Sequence, residues 1–182
     1  MRIAVYPGSF DPLHIGHLAV MEYLSRHPDF DWVYLVISPQ NPFKDPSKAL
    51  SARRRYLAAQ RAVARHPELR VWVDDIELHM DPPNYTIRTL DTLKEREPGN
   101  EFTLVVGADN LAEIEKWREA PRLLSEYGLA VFPRRGFDIP SLAGALDKGA
   151  RVQVVDAPMV DISSTEIREA LANGKDMSAY MM

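Results

Sequence analysis

The chain has 182 residues, 46% of them apolar and 26% charged, no cysteine and a formal net charge of −4. Those figures suit one soluble domain over residues 1–182 with a sizeable core, and they exclude disulfides, thiolate metal sites and a cysteine nucleophile. The mild negative charge offers no general attraction to nucleic acid or membrane, no apolar run reaches membrane-spanning length, and Pro7-Gly8 cuts short the apolar run at the N-terminus, which predicts a cytoplasmic protein whose anionic ligands meet a local cluster of positive groups.

Ile3-Ala4-Val5-Tyr6 has the β-branched and aromatic composition of a buried strand, and Leu18, Met21, Tyr23 and Leu24 recur after it at helical spacing. The stretch between them, Gly8 to His17, is therefore a strand-to-helix turn. Pro7 and Pro12 stiffen it, Gly8 is expected to let the backbone bend or approach a ligand, and Gly16 keeps the first helical turn free of a side chain. A helix N-terminus here would offer unpaired N–H groups to a phosphate. His14 and His17 share a face if the helix has begun by Leu13; alone, such a pair also suits surface histidines or half of a metal site.

Trp32 to Ile37 reads as a second buried strand, followed by a proline-rich segment, Ser38 to Pro46, that presents Lys44 either to solvent or to an anion. Ser51 is expected to cap a helix, basic on one side, that runs to about Arg65. Val71 to Val73 is a short strand, Asp81 to Asn84 a loop, and Tyr85 to Arg96 a helix for which Thr86 could serve as the cap. Phe102 to Gly107, Gly128 to Phe132 and Val152 to Val155 are further strands, with a short helical piece from Leu142 to Leu146 before the last. A final helix starts near Ser163 or Ser164, sets Ile167 and Leu171 on its apolar face, and ends at Asn173-Gly174. Apolar strands alternating with helices predict an α/β fold, a doubly wound, Rossmann-like parallel sheet covered on both faces. Ligands of such a sheet bind beyond the carboxyl ends of its strands.

Several loops after strands carry residues suited to chemistry. Asp109, in Gly107-Ala108-Asp109, either caps the next helix or bonds a ribose hydroxyl. Trp117, in the polar stretch Glu115 to Glu119, either covers the edge of the core or stacks on a flat heterocycle. Arg134 and Arg135 are either solvated or neighbours of phosphate. Asp161-Ile162-Ser163-Ser164-Thr165-Glu166-Ile167-Arg168 is a well-capped helix start and a second place for an anion.

Gly8 to Leu18, reading GSFDPLHIGHL, resembles the HxGH signature of a nucleotidyltransferase superfamily, and Ile162 to Arg168 resembles its second signature. The proline-rich segment ending in Lys44, the Asn84-Tyr85-Thr86-Ile87 helix start with Thr89-Leu90, Gly107-Ala108-Asp109, Lys116-Trp117-Arg118-Glu119 and Phe132 to Phe137 are similar to segments of bacterial nicotinate-mononucleotide adenylyltransferases. The chain departs from that pattern at Asn84, Arg88 and Arg135. The resemblance implies transfer of the adenylyl group of ATP, accompanied by Mg²⁺, to nicotinate mononucleotide, with neither a nucleic-acid nor a membrane partner and no protein metal site. It implies that Gly8, Ser9, Phe10, His14, His17, Gly107, Asp109, Ile162, Ser163, Ser164, Thr165 and Arg168 meet ATP, with His14, His17 and Arg168 catalytic. Lys44, Asn84, Tyr85, Thr86, Trp117, Arg118 and Arg134 would meet the pyridine nucleotide, Trp117 by stacking on its ring. Two rivals share features: phosphopantetheine adenylyltransferase has the same Tyr-Pro-Gly opening and double serine, and a nucleotide-binding module could keep the fold without turnover.

Overall fold

The computed structural model describes residues 1–39 and 47–182, the side chains of 47–50 aside. In chain order its elements are β1 (Arg2–Gly8), α1 (Ile15–Arg26), β2 (Trp32–Ile37), α2 (Ser47–Ala64), β3 (Val71–Asp74), α3 (Thr86–Arg96), β4 (Glu101–Gly107), α4 (Ala108–Glu113), α5 (Ala120–Arg122), β5 (Leu129–Phe132), α6 (Ile139–Gly144), β6 (Val152–Val154) and α7 (Ser164–Ala172). The six strands form one parallel sheet in the order β3-β2-β1-β4-β5-β6.

Strand β1 sits at the centre, with Ile3 opposite Trp32 on one side and Phe102 on the other. Its side chains alternate between the two faces, as the pleat requires. Ala4 and Tyr6 join a core layer with Val20, Met21 and Leu24 of α1 and Ala59 and Ala62 of α2. Ile3 and Val5 join the opposite layer with Ile87, Leu90 and Leu93 of α3 and Leu111 of α4. Both faces of the sheet are thereby buried, which is why its strands read as unbroken apolar runs. The strand order reverses between β1 and β4, so the crevice expected of a doubly wound sheet opens at Gly8 and Gly107.

Some boundaries differ from expectation. Helix α1 starts at Ile15 rather than Leu13, α2 starts at Ser47 rather than after a cap at Ser51, and the short helix before β6 begins at Ile139. On α7, Ile167 is fully buried while Leu171 is 49% exposed, so the apolar face is narrower than its spacing suggested. Single helical turns at Ile76–His79, Ile114–Lys116 and Leu123–Tyr127 are too short to leave a periodic signal.

Candidate active site

Strand β1 continues through Pro7 to Gly8, which pairs with Ile37, so Gly8 is not the bend. The bend falls on Phe10, whose φ of 48° lies in the left-handed region. What Gly8 supplies is room: a Cβ there would sit 3.0 Å from the Phe10 ring. Beyond the bend, His14 is the N-cap of α1 and its Nδ1 accepts the Gly16 N–H at 3.0 Å. In return the His14 N–H donates to His17 Nδ1 at 3.1 Å, completing a capping box made of two imidazoles. The rings stack with centroids 3.7 Å apart, and a Cβ on Gly16 would come within 2.8 Å of His14 Cε1. The histidines therefore meet through the cap, not through a helix begun at Leu13.

The cap decides the tautomer. Because each Nδ1 accepts a backbone N–H, each neutral ring carries its proton on Nε2. Burial, reinforced by the Arg134 guanidinium, lowers the pKa of His14 to about 4. Burial, then His14 and Arg134, lowers that of His17 to about 3. Near neutral pH the site thus offers two uncharged Nε2–H donors beside one arginine.

The second signature closes onto the same turn. Ser163 caps α7 by accepting the Glu166 N–H at 3.1 Å. Ser164 Oγ donates to Pro12 O at 2.9 Å, and Arg168 donates to Asp11 O at 2.6 Å and to Thr165 Oγ1 at 3.1 Å. A cleft of about 450 Å³ lies between the signatures, lined by His14, His17, Asp109, Arg134, Ile162 and Ser163 among others. It shares Tyr6, His17, Phe132 and Arg134 with a recess of about 190 Å³ lined by Gly8, Ser9, Phe10, Gly107 and Ser164. Arg168, bonded to the turn at Asp11 O, and Thr165, which accepts from Arg168, are not among the residues lining the cleft.

Gly107, not Asp109, occupies the N-cap of α4, so the capping account of Asp109 fails. The Asp109 carboxylate instead lies 3.7 Å from the Arg134 guanidinium. Gly107 admits that pair, because a Cβ there would approach Asp109 Oδ1 to 2.5 Å and Arg134 Nε to 3.1 Å.

A separate hollow of about 280 Å³ gathers Asn84, Tyr85, Thr86, Trp117 and Arg118, with Lys116 and Leu123. Thr86 is the first residue of α3 rather than its cap; Tyr85 holds the cap position and makes no side-chain cap bond. The Arg118 guanidinium lies 4.6 Å from the centre of the Tyr85 ring. Arg88, one of the departures from the pattern, donates to Asp81 O at 2.9 Å and Pro83 O at 2.7 Å and braces the loop before the hollow. Arg134 does not join this group: it lies 5.0 Å from the centre of the Phe132 ring, in the cleft of the histidines. Lys44 lies outside the described residues. Among the described residues no three His, Asp or Glu side chains converge to cage a cation.

The family model described as cytidylyltransferase-like matches residues 5–170, nearly the whole chain. The chain belongs to the cytidylyltransferase-like family. Among its relatives, proteins named probable nicotinate-nucleotide adenylyltransferase are 39% identical in Bacteroides fragilis, over 99% of this chain and 87% of the relative, and 34% identical in Flavobacterium johnsoniae, over 100% and 92%. The fold matches that of Plasmodium falciparum nicotinic acid mononucleotide adenylyltransferase complexed with NaAD, with a TM-score of 0.82, 23% identity, and coverage of 99% of this chain and 90% of that one.

Two features of this cytidylyltransferase-like chain left no sequence signal. The C-terminal segment returns to the first signature: Met181 forms an antiparallel bridge with His14, Arg65 donates to Met182 O at 2.6 Å, and Met182 is buried. Nothing periodic in the methionine-rich tail announces that path. Glu77 is buried beside Ser38, whose hydroxyl reaches it at 3.4 Å, and burial raises its pKa to about 7 against the pull of hydrogen bonds from Ser38 and Thr89. A lone glutamate in a short turn carries no motif.

Proposed function

We propose that the chain transfers the adenylyl group of ATP to nicotinate mononucleotide, giving nicotinate adenine dinucleotide and pyrophosphate in NAD biosynthesis. The observation that carries this reading is the convergence of two Nε2–H imidazoles and the capped start of α7 on one cleft at the carboxyl ends of β1 and β4. The names of the bacterial relatives and the aromatic, cationic hollow at Tyr85, Trp117 and Arg118 support the acceptor.

The acceptor's phosphate has its second pKa near ~6, so it is already ionised near neutral pH and needs no general base. One of its oxygens attacks the α-phosphorus in line; that P–O bond forms as the bond to the bridging oxygen of the β-phosphate breaks, and pyrophosphate leaves with its electron pair. No covalent enzyme intermediate arises. His14 and His17 donate from Nε2 to oxygens that gain charge in the transition state, and the start of α7 with Arg168 and Thr165 receives the leaving phosphates. Trp117 stacks on the pyridine ring, and the amides at Thr86 and Arg118 meet its carboxylate. Mg²⁺ accompanying ATP would neutralise phosphate charge, and no side chain is assigned to hold it.

Pyrophosphate release should be measured with ATP and Mg²⁺ while nicotinate mononucleotide, nicotinamide mononucleotide and phosphopantetheine are offered separately. Preference for the first is expected. Preference for phosphopantetheine would overturn the acceptor, and binding of ATP with no release from any of the three would overturn the activity.

A further inference from the structure

Arg55 lies on α2, on a helix whose surface is otherwise rich in exposed arginine, yet only 5% of it is exposed. Its Nη1 donates to two backbone carbonyls at once, Ser9 O at 2.7 Å and Ser38 O at 2.9 Å. Ser9 opens the turn after β1, and Ser38 opens the segment after β2. One guanidinium therefore ties together the two loops that leave the carboxyl ends of neighbouring strands. Its Nε and Nη2 are buried and have no acceptor among the described residues. An arginine kept for stability alone would hardly leave two donors unmet, since a buried unpaired donor costs on the order of 1–3 kcal/mol.

The geometry of the peptide unit says what the tie does. A planar trans peptide sets its C=O and N–H in opposite directions, and the Ser9–Phe10 bond is not among the cis bonds. Holding Ser9 O toward α2 therefore turns the Phe10 N–H away from that helix, and Ser9 and Phe10 line the recess together with Gly8, His17, Asn110 and Ser164. Neither the Ser9 nor the Phe10 N–H meets an acceptor among the described residues. Phe10, at a φ of 48°, holds a conformation that costs of order 1 kcal/mol outside glycine and persists only under external constraint.

We propose that Arg55 is a positioning residue: by gripping the Ser9 and Ser38 carbonyls it fixes the left-handed turn so that its free amides face the nucleotide phosphates. This rests on the adenylyl-transfer reading, but its test has a readout that needs no turnover. Arg55→Met keeps an unbranched apolar stem as far as the position of Nε and removes both bonds together with the unmet donors, so its melting temperature should stay within a few degrees of wild type or rise. Binding of ATP should weaken about 10-fold while binding of adenosine, which lacks phosphates, stays within about 2-fold. In turnover, kcat should fall about 10-fold or more with the KM for nicotinate mononucleotide nearly unchanged. Equal affinities of wild type and variant for ATP would overturn the proposal, as would equal loss for ATP and adenosine. If Arg55→Met does not fold, Arg55→Gln, whose amide nitrogen ends two bonds short of the place of Nη1 and so cannot hold the two carbonyls as Arg55 does, decides: a selective loss for ATP supports the role, and wild-type affinity for ATP overturns it. Failure of the wild type to release pyrophosphate would remove the adenylyl-transfer reading and leave the comparison of ATP with adenosine standing.

Discussion

His17 carries two duties on opposite edges of one ring. Its Nδ1 accepts the His14 N–H and closes the cap of α1, while the proposed mechanism uses Nε2–H on the nucleotide phosphates. Removing the ring should therefore show in two measurements. His17→Ala is expected to lower kcat by roughly 10²–10³ fold, the scale of one lost oxyanion donor, and to lower stability by about 1 kcal/mol, the scale of one lost cap. Turnover near wild type would take His17 out of the mechanism; an unchanged melt would take it out of the cap. Trp117 is partly buried against the core beside α4, so both of its readings, cover and stack, fit its place. Kinetics separate them. Trp117→Ala should raise the KM for nicotinate mononucleotide about 10-fold or more, as loss of a stacking platform worth roughly 1–3 kcal/mol requires, and leave the KM for ATP within about 2-fold. Equal losses for both substrates would make the tryptophan structural.

At the scale of elements, what was legible had period and what was missed did not. The strands could be read because burial on both faces leaves an unbroken apolar run, and α3 because Ile87, Leu90 and Leu93 return to one side. The meeting of His14 and His17 was legible from spacing, but its cause was not: the helix starts two residues later than assumed, and imidazole nitrogens do the capping usually done by hydroxyls and carboxylates. Asp109 and Arg134 could be placed near phosphates or sugars by motif, whereas their mutual approach depends on how β4 and β5 lie side by side. The tail was illegible for the same reason, since its dock on His14 and Arg65 is purely tertiary. That dock can be tested. Met182→Asp sets a charge in an apolar place and should release the segment, forfeiting about 1.5–3 kcal/mol of burial, or roughly 3–12 °C in a chain of this size. A melting temperature unchanged within about 1 °C would show that the tail adds nothing to the turn.

Across the whole molecule, the groups that define the site also set how stability follows pH. His14 and His17 titrate in the fold near 4 and 3, below their ordinary 6.5, so between those values the unfolded chain binds more protons. Stability from the neutral pair is complete above about pH 6.5 and is lost as pH falls. Glu77 works the other way. Its folded pKa of about 7 lies above the ordinary 4.5, so the fold binds the extra proton in that window and gains as pH falls through 7. Two histidines oppose one glutamate, and the net slope is at most one proton, about 1.4 kcal/mol per pH unit between about pH 6 and 5. Below that range carboxylates add to the loss: burial raises the pKa of Asp91, but hydrogen bonds from Arg122 and Tyr127 outweigh it and hold it low. The wild-type melting temperature should therefore be flat near pH 7–8 and fall through the acid range. Glu77→Gln removes the opposing group while keeping its shape and hydrogen-bonding capacity. The variant should be more stable than wild type by roughly 1–3 kcal/mol at about pH 8, nearly equal to it at about pH 4.5, and steeper in its acid fall. Melts of both proteins across that range decide it: a variant destabilised equally at every pH would mean that Glu77 is ordinary in the fold, and that the acid slope belongs to the histidines and the paired carboxylates alone.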